Sequence, residues 1–111
     1  MVDWQTVGIG YGPVDVAYFV GAGLVLPAES DSTLDAALVA RYGDRLERHL
    51  GKSVDRDALW LSYRLGSASG YVMAVVASQL VIRTERGDAM FIAMAQRHAR
   101  QMRRLRLAEL V

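Results

Sequence analysis

Apolar residues recur along this chain at three- and four-residue spacing, the period of helices that bury one face. Five such stretches predict five helices. Asp15 stands before the run VAYFVGAGLVL and is suited to cap its first turn, with Pro27 as the stop. Ser32 opens a second helix, with Asp35 three positions on in a near capping box. Leu34, Leu38, Tyr42, Leu46 and Leu50 then form a stripe, and Gly51 ends it. Asp55 starts a third helix that runs to Gly66. Residues 67–84 form a fourth, apolar nearly all round and so expected at the centre of the bundle. Asp88 caps the last, over 89–110, where Phe91, Met94, Ala95, His98, Met102 and Leu105 share a face.

The first fourteen residues fit no helix. Three glycines alternate at 8, 10 and 12 and Pro13 follows, which predicts a short strand near Trp4 and then an irregular loop. The expected fold is mainly α, a single domain over 1–111, with about five helices after a short N-terminal strand and loop. No repeat or linker interrupts it. Residues 65–82 are uncharged, but glycines, serines and Gln79 lie inside the stretch and no aromatic belt flanks it, so a membrane span is not expected.

Composition narrows the chemistry. The chain is 52% hydrophobic and carries 13 Lys+Arg against 12 Asp+Glu, so it can bury a core and is no bulk polyanion binder. It has no cysteine, which excludes disulfides, thiolate metal sites and a cysteine nucleophile. No targeting segment precedes the first helix, and the cytoplasm is the default compartment. Charge is uneven: residues 1–35 hold acids and no base, while Arg97, Arg100, Arg103, Arg104 and Arg106 face only Glu109 near the end. The plain reading of those arginines is the solvated face of an amphipathic helix. Nucleic-acid binding is not expected, since no aromatic is interleaved with them.

Several motifs fail on inspection. Gly51-Lys52-Ser53 has Leu46 where a P-loop needs its first glycine, and it follows a helix instead of preceding one. His49 and His98 lie far apart beside leucines and methionines and read as packing residues. No Ser/His/Asp grouping can be argued, and no catalytic residue is assigned.

What remains is VDWQ at 2–5, a glycine-rich gap and GPVDVAYFV at 12–20, followed later by GYVMAVVASQLVIRTERGDAMFIAMAQRHA at 70–99. In this order the segments resemble the aminoglycoside-phosphotransferase and choline-kinase-like superfamily, and within it the bacterial phosphotransferases related to ecdysteroid kinases. The resemblance implies the C-terminal helical subdomain of a protein-kinase-like fold. It makes Asp3 a metal-binding aspartate that holds Mg²⁺ against the phosphates of ATP, and Asp15 the structural aspartate opening a buried helix. The implied reaction is transfer of the γ-phosphoryl group of ATP to the hydroxyl of a small molecule.

The departures matter as much. The family's His-Gly-Asp catalytic loop and its N-lobe lie upstream of Asp-Trp-Gln and do not occur here; Lys52, the only lysine, is in the wrong place. The resemblance therefore implies a truncated unit, inactive alone and a poor binder of Mg²⁺ and ATP. Its expected partners are the missing N-terminal portion or further copies of itself. The arginines at 97–106 imply a neutral or anionic acceptor over a polycation. The rival readings are a non-enzymatic helical interaction domain and an Arg-helix nucleic-acid binder.

Overall fold

The structure is a computed structural model that describes residues 8–27 and 29–111. It consists of α1 (Gly12–Gly23), α2 (Thr33–Leu50), α3 (Arg56–Leu80), α4 (Glu85–Arg104) and a closing 3-10 turn (Leu107–Glu109). The mainly helical fold is as expected, but with four α-helices among the described residues instead of five. The strand expected near Trp4 lies outside the described residues, and no strand occurs among those described. No helix among them is long and apolar enough to cross a membrane.

The missing boundary is at Gly66. Helix α3 runs through it without a break. Gly66 is buried where α1 crosses, and a Cβ there would stand 2.7 Å from the Val14 Cα. Gly66 is thus a point of close helix approach, and the helix carries its propensity cost for that contact.

Helix α1 begins earlier than expected. Pro13 occupies the first helical turn, where its fixed φ and missing N–H cost nothing, and Val14 N–H donates to the Tyr11 carbonyl at 2.9 Å. Asp15 is therefore no N-cap: it sits exposed inside the first turn, where a carboxylate only complements the helix dipole. Asp15→Ala is accordingly expected to cost under about 0.5 kcal/mol in urea unfolding. A loss as large as a removed N-cap would contradict this placement.

The other caps divide similarly. Asp55 accepts from Ala58 N–H at 2.9 Å as expected, and Gly51 takes the left-handed conformation at φ 67°. Ser32 is at the N-cap of α2, but Asp31 makes the bond, accepting from Thr33 N–H at 2.9 Å. Thr84, not Asp88, caps α4 through Gly87 N–H at 3.0 Å; Asp88 instead pairs with Arg83 at 2.7 Å.

Helix α3 is the hub: it packs along both α1 and α4, while α2 leans on it more lightly. Ala17, Val39, Tyr63 and Leu105 form the core, with Val16, Leu59 and Trp60 half-buried against them. The Trp60 and Tyr63 rings stack at 5.8 Å. Helix α2 buries Asp35, Val39 and Gly43, one position round from the expected leucine stripe, whose ends Leu34 and Leu50 are exposed. Gly43 lets the Arg56 guanidinium cross α2, donating to the Ala40 carbonyl at 2.9 Å and Asp44 at 2.8 Å. Arg64 closes the far end, donating to the Leu105 carbonyl at 2.8 Å and that of Arg106 at 2.7 Å.

The second half of α3 is not the expected central helix. Tyr71, Val72, Met73, Val75, Val76 and Leu80 are all exposed, as is Phe19 of α1. The radius of gyration is 15.1 Å, against about 13 Å for a compact chain of this length. Large apolar faces are therefore left uncovered.

Candidate functional site

The most concentrated chemistry lies where all four helices converge. Asp35 of α2 is fully buried. It accepts from the Tyr63 hydroxyl of α3 at 2.6 Å and from Arg104 of α4, Nε at 2.7 Å and Nη2 at 3.1 Å. The Arg104 side chain is only 9% exposed. One turn earlier on α4, Gln101 Nε2 donates to the Ala17 carbonyl of α1 at 2.9 Å and lies 3.5 Å from the Tyr63 hydroxyl. A carboxylate held by a two-pronged guanidinium and a phenol is a fully engaged group.

Burial, then the Asp35 acceptor, pushes the Tyr63 phenol well above its ordinary range. Tyr63 is consequently a fixed donor near neutral pH, not an acid or a nucleophile. The cluster contains no activated nucleophile, and its geometry is that of a tie between helices.

His98 completes it. The ring is fully buried in a slot between α1 and α3 that two glycines leave open. A Cβ on Gly21 would stand 2.3 Å from His98 Nδ1, and one on Gly70 would stand 2.0 Å from Cε1. The Tyr18 ring lies 5.4 Å away. Among the described residues neither ring nitrogen has a hydrogen-bond partner, nor does Gln101 Oε1. Burial holds the imidazole below its usual pKa, with the neighbouring Gln101 partly opposing the shift.

The linkage follows from that direction. A histidine depressed in the folded state stays neutral there, while the unfolded chain takes up a proton below about pH 6.5. Stability is then present above that pH and lost on acidification through it. Urea unfolding at pH 7.5 and pH 5.5 is expected to show a larger loss for the native chain than for His98→Gln. Equal losses in the two proteins would exclude a His98 contribution.

An open cleft of about 530 Å³ runs between α4, the end of α1 and the segment after it. Arg97, Arg100, Arg103 and Arg104 line it. The expectation of a purely solvated arginine face is thus met only in part. Arg104 turns inward to Asp35, and Arg97 donates to the Ala22 carbonyl at 2.9 Å. Arg100 and Arg103 are exposed and form no ion pair among the described residues.

Asp3 lies outside the described residues. Asp15 is exposed on the first turn of α1, separate from the buried cluster, and His49 is exposed on α2. Among the described residues no three side chains of the metal-binding types gather into a site. Asp35, the one deeply buried carboxylate among the described residues, is already engaged by Arg104 and Tyr63. These residues alone therefore do not fit a Mg²⁺–ATP centre. Sequence reasoning missed the Asp35–Tyr63–Gln101–Arg104 cluster. Its one available signal was the spacing of Asp35, Val39 and Gly43, which puts an acid on the buried side of α2. No protein-family model, no curated protein and no solved structure matches the chain.

Proposed function

We propose that this chain is the C-terminal helical part of an ATP-dependent small-molecule phosphotransferase, without turnover of its own. The observation that carries the reading is the order of Asp3-Trp4-Gln5, Gly12-Pro13, Asp15-Val16-Ala17 and the 70–99 segment. The helical placement of the last three agrees with it: Gly12-Pro13 opens α1, Ala17 is fully buried, and 70–99 spans the joint of α3 and α4. In this reading Asp3 would meet Mg²⁺ on the nucleotide phosphates, and α1 would brace the loop before it. The acceptor would be a small molecule bearing a hydroxyl, and the compartment the cytoplasm. The base and the adenine cleft would come from the N-terminal portion.

The uncovered faces of α1 and α3 support the same view, because they are where that portion would rest. They also favour the second reading, a helical interaction domain without enzymology. Either way the isolated chain is expected to self-associate, since apolar patches beyond a few hundred Å² seldom stay in water. Light scattering of residues 1–111 should give a dimer or larger; a monodisperse monomer at high concentration would contradict it.

The deciding experiment takes the DNA upstream of the Met1 codon and the protein it encodes. An in-frame His-Gly-Asp is expected, in a product that phosphorylates a hydroxyl acceptor and loses that activity with Asp3→Ala. A continuous upstream frame without His-Gly-Asp would overturn the reading in favour of the interaction domain. ATP-dependent phosphorylation by residues 1–111 alone, above a heat-killed control, would overturn the assignment of a dependent part.

A further inference from the structure

The cleft along α4 shares Gln101 and Arg104 with the buried cluster and adds Arg97, Arg100, Arg103 and an apolar wall. Its polar wall is basic: Arg97, Arg100, Arg103 and Arg104, with no Asp or Glu in the lining. The nearest acids are accounted for elsewhere. Asp35 is buried behind Arg104, and Asp31 accepts from Thr33 N–H; Glu29 is exposed and outside the lining. The opposite wall is apolar, built by Val20 and Leu24 with Val25 and Leu26 of the following segment. Val25 is 74% exposed, so the wall lies open to an incoming molecule.

Two of the four arginines are fixed. Arg97 is tied to the Ala22 carbonyl and Arg104 to Asp35, so Arg97 is held in place with its charge unbalanced among the described residues while the charge of Arg104 is met by Asp35. Arg100 and Arg103 stand at the rim with their donors uncommitted among the described residues. Guanidinium groups bind carboxylate and phosphate oxygens in pairs, and a concave setting with one apolar wall strengthens that attraction by excluding water. The volume, about 530 Å³, lies within the range of small-molecule sites.

We propose that this cleft binds a small anionic amphiphile: a carboxylate or phosphate head between Arg100 and Arg103, and a short aliphatic body against Leu24 and Val25. The site needs neither ATP nor Asp3, so it stands or falls apart from the phosphotransferase reading.

Calorimetric titration of the full chain tests it, with octanoate, octyl phosphate, octanol and inorganic phosphate as probes. One of the two amphiphilic anions should bind one per chain with a Kd of about 1 mM or tighter. The better of the two identifies the head group. Arg100→Ala with Arg103→Ala should weaken it at least tenfold. The charge-matched control, Arg41→Ala with Arg86→Ala on exposed positions outside the cleft, should change it less than twofold. Neither rim arginine makes a hydrogen bond among the described residues, and unchanged urea unfolding of the rim variant would establish that it folds. Octanol binding as tightly as octanoate, inorganic phosphate binding as tightly as octyl phosphate, equal losses in the two double variants, or no heat from either anion would each overturn the proposal.

Discussion

Asp35→Ala is expected to destabilise the fold by about 3–5 kcal/mol, the range seen when one partner of a buried ion pair is removed. The loss is large because three groups are stranded together. Arg104 keeps its charge in a nearly closed position, the Tyr63 hydroxyl loses its acceptor, and α2 loses one of its three buried residues. A domain of this size has only about 5–15 kcal/mol in all, so the variant should sit at the edge of folding at 37 °C. Urea unfolding at 25 °C measures it. Asp35→Asn, which still accepts from Tyr63 but offers Arg104 no charge, should fall between the two. Pairing Asp35→Leu with Arg104→Met should recover much of the loss, because the apolar pair leaves no buried charge unpaired. A cost below about 1 kcal/mol for Asp35→Ala would mean that the ion pair is not buried in solution.

Gly66→Ala and Gly70→Ala are expected to reverse the usual sign of a glycine-to-alanine change. In an open helix interior each would stabilise by about 1 kcal/mol. Here the added methyl at 66 meets the Val14 backbone, which cannot turn aside, and at 70 it meets the buried His98 ring. Losses of about 1–3 kcal/mol are expected, the larger at Gly66, as α1 or α4 is pushed off α3. The two sites differ in a way that can be measured. His98→Ala should relieve most of the cost of Gly70→Ala in a double-mutant cycle and leave that of Gly66→Ala unchanged. Additive losses at 70 and 98 would show that the ring does not occupy that slot.

The sequence carries the helical class, both ends of α2 and the start of α3 plainly, because caps and periodicity are local. Asp55, Gly51 and the His98–Leu105 face of α4 fall where the pattern puts them. The errors share a cause. Gly66 reads as punctuation along the chain, yet α1 crossing from far away in sequence makes it an interior position. Asp15 reads as a cap until Pro13 starts the helix sooner. The apolar second half of α3 reads as central, since a sequence states what a face prefers and not whether anything covers it. The buried cluster was hidden for the opposite reason: Asp35 and Arg104 look like surface charges until tertiary contact pairs them. The residues that carry the family resemblance were legible as a motif, but Asp3 lies outside the described residues and its role stays a proposal.

The ties that close this bundle join distant parts of the chain: Asp35 to Arg104, Ala17 to Gln101, Arg64 to Leu105. Synthesis delivers α1, α2 and α3 first, and apart from the Tyr63–Asp35 bond their buried polar ties wait until the end of α4 has been made. Folding on the ribosome therefore cannot finish before Arg104 is clear of the exit tunnel. During that interval the apolar sides of α1 and α3 stand open to water, and a nascent chain in this state is a natural client for a chaperone that binds exposed hydrophobic segments.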